Sequence, residues 1–222
     1  MNVQNFDELQ RLLSSWYEVE PSQFQLPNSV VRDISNSILR EFYSRFGQLA
    51  KRETSFKHSK SDHGPLSCQD IILPVDELKS EGGFTTFCVE NQGVFIVAAS
   101  DEPNSVDTYA SGDGVDPKKR VPMTVVNVPL IECLITVTLR ETIMSVEDRY
   151  RRITPDHKRK ALELAAQGIH FKSRYIWPEV MFEFHLSEDV WHVNLDGMKF
   201  HANRGLWRQQ PSIWQEQQFE GG

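Results

Sequence analysis

Cysteines, long apolar runs and surplus basic charge are all scarce in this sequence. The 222-residue chain has three cysteines, Cys68, Cys88 and Cys133, and no two of them share a CxxC spacing. This pattern favours small reduced thiols in a core over a disulfide framework or a metal site. No apolar run approaches the ~20 residues of a membrane-spanning helix, and the first residues lack the basic and apolar regions of a secretion signal. We therefore expect a soluble cytoplasmic protein without a membrane partner.

Basic side chains are too few for a nucleic-acid-binding surface. The chain has 24 lysines and arginines against 31 aspartates and glutamates, which gives a formal charge of −7. Because phosphate binding requires clustered bases, nucleic acid is not an expected partner.

The common signatures of catalysis and phosphate binding are also missing. The chain has no GxSxG and no HExxH, and Gly112-Asp113-Gly114 lacks a following lysine and carries an acid that would repel phosphate. His185, His192 and His201 fall on three successive predicted strands, but a zinc site needs three or four converging ligands. We expect no enzyme activity, no cofactor and no metal. A hydrolase that uses paired carboxylates or these histidines is the alternative.

Apolar residues recur at helical spacing in several segments. Residues 5–17 predict one helix, and a second begins at Asn28 or Ser29 and continues along an apolar stripe that ends at Leu49. Residues 129–144 predict a buried helix, because sixteen residues is long for a strand. Thr154 and Pro155 are typical of the start of a further helix.

Strand patterns occupy the middle of the chain and its C-terminal third. The apolar run 94–99 is typical of a strand at the centre of a sheet. The residues Glu90 to Gly93 predict a tight reversal before it, and Asp196-Gly197 predicts a two-residue hairpin turn. The predicted strands are 71–73, 84–89, 94–99, 180–186, 190–194 and 198–202.

The negative charge is concentrated in one segment. Between Lys79 and Lys118 the chain carries seven acidic residues and no basic residue, so the rest of the chain is balanced. The acids are either solvated turn residues or a surface that attracts and complements a basic partner. On the second interpretation, the candidate binding residues are Asp101, Glu102, Asp107, Asp113 and Asp116.

Several motifs of the central segment resemble those of the SUKH superfamily. The most specific is the hairpin Gly83-Phe84-Thr85-Thr86-Phe87-Cys88-Val89-Glu90-Asn91-Gln92-Gly93-Val94, which is similar to the family's F-x-x-E-N-Q-G-V pattern. Shorter similarities are Leu39 to Gly47 with the early helix, Ile72 to Leu78 with the LPPDEL step, Val106 to Tyr109 with DPPVY, and Val128 to Leu134 with the SLSEFL helix.

The resemblance implies an α+β fold with helices packed on a mixed, mainly antiparallel sheet. It divides the chain into an N-terminal helix (1–25), a SUKH-like core (26–145), a helix and β-meander of the same domain (146–206) and a flexible tail (207–222). It also implies a non-enzymatic immunity protein that binds and neutralises a toxin with a basic surface, such as a nuclease. The alternative within the family is a regulatory scaffold that binds a housekeeping protein.

The motif residues Glu90, Asn91, Gln92 and Gly93 have two interpretations. They either contact the partner or hold the hairpin turn, since asparagine and similar side chains commonly bond to backbone groups in turns.

Overall fold

The fold is α+β, as predicted, and it contains two antiparallel sheets with helices between and beside them. A computed structural model describes residues 3–51, 65–66, 70–90, 93–112, 122–147, 168–176, 180–187, 190–195 and 198–203. Within these ranges every strand pairing is antiparallel. The predicted helix at Thr154 and the tail 207–222 lie outside the described residues.

The first predicted helix is confirmed as α1, Phe6–Tyr17. The side chain of Asn5 caps it by accepting a hydrogen bond from the Glu8 backbone N–H at 2.9 Å. The apolar stripe faces the core, where Phe6 lies against rings from a later helix. Helix α1 ends at Glu18, whose backbone is left-handed with φ 55°.

The prediction of one continuous helix from Asn28 is wrong. The chain forms a short helix α2, Asn28–Val31, and then a separate helix α3, Ser37–Phe46. The break follows from Asn36, whose side-chain oxygen accepts the Leu39 N–H at 3.0 Å and begins a new helix. Phe42 and Phe46 of the predicted stripe are fully buried.

The first sheet has six strands, and the predicted hairpin lies at its centre. The strand order is β1-β3-β4-β5-β6, with β2 also paired to β3. The strands are β1 Asp70–Ile72, β2 Lys79–Glu81, β3 Phe84–Glu90, β4 Phe95–Ser100, β5 Asp107–Gly112 and β6 Thr124–Pro129. The central position of β4 is confirmed. Residues 107–112, for which the sequence analysis predicted no strand, form β5 because they pair with β4 over five residues.

The predicted buried helix is confirmed as α4, Leu130–Glu147. The C-terminal meander is also confirmed, and it forms a second, four-stranded sheet in the order β10-β9-β8-β7. Its first strand was not predicted. The strands are β7 Ile169–Arg174, β8 Met181–Leu186, β9 Val190–Leu195 and β10 Met198–Asn203.

Helix α4 contacts both sheets and the N-terminal helices, and one hydrophobic core joins all these elements. Trp16 of α1 stacks on Trp191 of β9 with ring centroids 4.4 Å apart. Glu132 of α4 binds Arg174 of β7 through two side-chain hydrogen bonds of 3.0 and 2.9 Å. The second sheet is therefore packed onto the rest of the protein by both apolar and ionic contacts.

Replacing Trp16 by alanine tests the link between α1 and the second sheet. Because both indole rings of the stack are buried, we expect Trp16→Ala to lower the free energy of unfolding by about 3–4 kcal/mol. Urea unfolding followed by circular dichroism measures this change. Val30→Ala is the control, since Val30 is 44% exposed and should change stability by less than about 0.5 kcal/mol. A loss below about 1 kcal/mol for Trp16→Ala would contradict a stabilising stack.

Candidate partner-binding surface

The loop between β4 and β5, residues 101–106, is held by the buried side chain of Asn36. The Asn36 amide nitrogen donates to the backbone carbonyls of Ser100, Glu102 and Ser105 at 3.2, 3.3 and 3.0 Å. Its oxygen caps α3 at the same time. One side chain, 1% exposed, therefore fixes both the start of the helix and the course of the loop.

Further backbone hydrogen bonds attach the loop on its other sides. The Ser37 N–H donates to the Pro103 carbonyl at 2.9 Å, and the Leu130 N–H donates to the Val106 carbonyl at 2.7 Å. The Asp101 N–H donates to the Gly83 carbonyl in the turn between β2 and β3, at 2.8 Å. Because so many of its backbone groups are bonded to neighbouring elements, the loop has a defined shape.

The predicted acidic residues have different surroundings. Asp101 is half-buried and its carboxylate accepts a hydrogen bond from the Thr85 hydroxyl, so it has a structural partner. Glu102 and Asp107 are exposed. Asp113 and Asp116 lie outside the described residues.

A third exposed acid, Glu81, comes to the same end of the sheet. Glu81 pairs with Phe84, and Phe84 pairs with Ser100. Asp107 immediately precedes Thr108, which pairs with Ala99, so it lies next to Ser100. We call Glu81, Glu102 and Asp107 the acidic end of the first sheet.

The family-motif turn is separate from the acidic end. The Glu90 carboxylate accepts the Val94 backbone N–H at 3.2 Å, and the Gly93 N–H donates to the Glu90 carbonyl at 2.8 Å. Gly93 has φ 73°, which glycine adopts without strain. The turn-holding interpretation is therefore supported at Glu90 and Gly93, while Asn91 and Gln92 lie outside the described residues. Strand β4 separates this turn from Asp101 by about 20 Å.

Four histidines form one row across the second sheet. His170 pairs with His185, His185 with His192, and His192 with His201. The rings of His170 and His185 are stacked, with centroids 4.2 Å apart, a geometry that does not direct their nitrogens at one point. Among the side chains that the structure describes, no group of three or more candidate ligands could hold a metal ion.

A buried polar cluster lies where β1, β3 and α4 meet the second sheet. Arg140 pairs with Asp70, and the Asp70 N–H donates to the Glu141 carboxylate at 3.2 Å. The Cys88 thiol lies 3.2 Å from the Tyr175 hydroxyl. Burial raises the pKa of Cys88 well above its usual range, so this thiol is not an activated nucleophile. The cluster joins the two sheets.

Two features of this surface were missed by the sequence analysis. Asn36 was read as part of a continuous helix, although an asparagine three residues before Leu39 is a recognisable capping signal. The pairing that brings Glu81 to the acidic end depends on the β2–β3 turn at Gly82-Gly83, where both glycines have positive φ. The glycine pair can be recognised in the sequence, but the sequence does not show which strand ends meet beside this turn.

Comparisons with known proteins leave the family resemblance as a prediction. The chain matches no protein-family model, no curated protein and no solved structure. In the described residues, no helix has both the length and the apolar character needed to cross a membrane.

Substitution of Asn36 separates its capping role from its role in holding the loop. Aspartate can replace asparagine as a helix cap, but it cannot donate to the three loop carbonyls. We expect Asn36→Asp to lower the free energy of unfolding by about 2–3 kcal/mol, as measured by urea denaturation. Asn5→Asp is the matched control because Asn5 caps α1, and it should cost less than about 0.5 kcal/mol. Wild-type stability in Asn36→Asp would show that Asn36 is only a cap.

The histidine row predicts a dependence of stability on pH. Burial and the neighbouring His170 lower the pKa of His185. The unfolded chain therefore binds a proton at His185 more readily than the folded chain does. Neutral His185 consequently contributes to stability above about pH 6.5, and this contribution is lost at lower pH.

Thermal unfolding at pH 7.5 and pH 5.5 measures this effect. We expect the drop in Tm between these pH values to be smaller in His185→Gln than in the wild type. An equal drop in both proteins would exclude His185 as a source of the acid sensitivity.

Proposed function

We propose that the protein is a non-enzymatic binding module of the immunity type, which neutralises a cytoplasmic toxin by covering its basic surface. The observation that carries this proposal is the acidic end of the first sheet, Glu81, Glu102 and Asp107. Glu81 is the last residue of β2, Asp107 is the first residue of β5, and Glu102 lies in the loop that Asn36 holds in place. All three side chains are exposed.

The fixed loop favours binding because little conformational entropy is lost when a partner docks. When a partner docks, each long side chain that becomes immobile costs about 0.5–1.5 kcal/mol, and a mobile loop must be ordered as well. The hydrogen bonds of Asn36 have already fixed the backbone that carries Glu102. The remaining cost is confined to the exposed side chains.

The charge of the acidic end suits a partner that normally binds phosphate. A nuclease carries basic groups at its substrate site, and carboxylates on a fixed frame can occupy the positions of phosphates. Opposite charges steer the two proteins together, which raises the association rate at low ionic strength. Salt should weaken this attraction, since the Debye length falls to about 8 Å at physiological ionic strength.

The proposal is tested with the product of the gene next to that of this protein, which the proposal predicts to be a toxin. We expect Glu102→Lys combined with Asp107→Lys to slow association with that toxin about tenfold at low salt, as measured by surface plasmon resonance. The same double variant should no longer protect cells that express the toxin.

Glu20→Lys combined with Asp76→Lys makes the same change in net charge at two other exposed positions. This control should retain both association and protection. Unchanged binding and protection in Glu102→Lys/Asp107→Lys would remove the acidic end from the mechanism, and a neighbouring toxin that does not bind the chain would refute the immunity proposal.

A further inference from the structure

One face of the first sheet carries an aromatic pair beside the acidic end. The ring centroids of Phe84 and Tyr109 lie 4.8 Å apart, across the central strand β4. Both side chains are partly exposed. This face is opposite to the hydrophobic core, because Ala98 pairs with Tyr109 while the next residue, Ala99, belongs to the core. We call it the outer face.

Small side chains of β3 and β4 lie beside the two rings on the outer face. Ala98 is fully buried although it does not belong to the core cluster, and Thr86 beside it is 9% exposed. Val125 pairs with Tyr109 on the other side and is 47% exposed. The outer face is therefore an apolar surface with two aromatic rings and an exposed valine, built on a rigid paired sheet.

Two members of the acidic end border this apolar surface. Glu81 and Asp107 lie in one row across the sheet, with Phe84 and Ser100 between them, and the row continues from Asp107 to Pro129 of β6. Asp107 and Tyr109 are on the same side of β5, because Thr108 between them is buried in the opposite direction. Three strand spacings separate Glu81 from Asp107, or about 14 Å. Lys79 is the basic residue in the adjacent row.

We propose that the outer face binds an extended segment of the partner with the pattern basic–x–apolar–x–basic. An extended chain advances about 3.3 Å per residue, so bases four positions apart span about 13 Å, close to the distance between the two acids. Side chains at alternate positions of such a chain point to the same side. The central apolar side chain then contacts Phe84 and Tyr109 while the two bases contact Glu81 and Asp107. This inference rests on the proposed function and specifies the chemistry of the partner.

Lys79 weakens the contact that a base can make with Glu81. It is exposed and lies two positions from Glu81 on the same face of β2, where it pairs with Thr86. Its positive charge therefore repels a basic side chain that binds Glu81. Lys79→Gln should strengthen binding of a segment with the proposed pattern.

The test uses the peptide acetyl-Gly-Lys-Ser-Leu-Ser-Lys-Gly-amide as probe and follows backbone amide shifts of the full chain by NMR at low salt. We expect shifts around Phe84, Ala98 and Tyr109, with binding at least about fivefold weaker when both lysines are replaced by glutamate. Replacing the leucine by serine should weaken binding by a similar factor, because the apolar contact is lost. Absence of shifts on the outer face, or equal binding of all three peptides, would overturn the inference.

Variants of the chain give an independent check. Asp107→Asn should weaken probe binding about threefold, and Tyr109→Ser should weaken it more, with folding confirmed by its amide spectrum. Glu20→Gln and Met181→Ser are controls at exposed positions, one in the segment after α1 and one in the second sheet, and neither should change probe binding.

The outcomes distinguish the inference from the proposed function. Toxin protection that depends on Glu102 and Asp107, without probe binding, refutes the inference alone. Probe binding on the outer face, together with protection that is unchanged in Glu102→Lys/Asp107→Lys, supports the inference and removes the acidic end from the mechanism of protection.

Discussion

Burial of α4 between the two sheets is the constraint on which the rest of the structure depends. Nearly every side chain from Cys133 to Leu139 is buried, so this helix has little exposed surface of its own. The first sheet and the N-terminal helices pack against it, and the second sheet packs against it as well. Glu132 and Arg140 place charged side chains at these contacts, where each pairs with a residue of a sheet. Packing against α4 therefore fixes which face of the first sheet is turned towards the core.

The outer face and the acidic end follow from this arrangement. The core lies on the α4 side of the first sheet. Because side chains alternate between the two faces along each strand, Phe84 of β3 and Tyr109 of β5 lie on the other side. Leu130 at the start of α4 also bonds to Val106 of the β4–β5 loop, so the helix contributes directly to the position of the acids. Asn36 adds the remaining constraint from α3.

Periodicity predicted the elements whose side chains alternate or repeat cleanly. Helices α1 and α4, the β3–β4 hairpin and three strands of the meander were all identified in this way. Periodicity did not reveal the break before Asn36, because the apolar stripe continues through it, whereas the capping bond of Asn36 begins a separate helix. Strand β5 was missed because Asp107, Ser111 and Gly112 have weak strand preferences, and its pairing with β4 stabilises it.

The candidate site was predictable only in part. The charge count located the acidic segment, but it could not show that Asp101 bonds to Thr85 or that Glu81 joins Glu102 and Asp107 at one end of the sheet. Those facts depend on strand register, which is a tertiary property. The aromatic pair on the outer face has the same origin, since Phe84 and Tyr109 are 25 positions apart in the chain and meet across β4.

Hydroxyl-radical footprinting reports the exposure of individual side chains. Comparison of the free protein with the protein mixed with the product of the neighbouring gene therefore tests whether the outer face is the proposed binding surface. The account predicts that oxidation of Phe84 and Tyr109 falls in the complex, while oxidation of Met181 on the second sheet, 41% exposed in the free chain, does not change. Protection of Met181 with unaltered oxidation of both rings would contradict it.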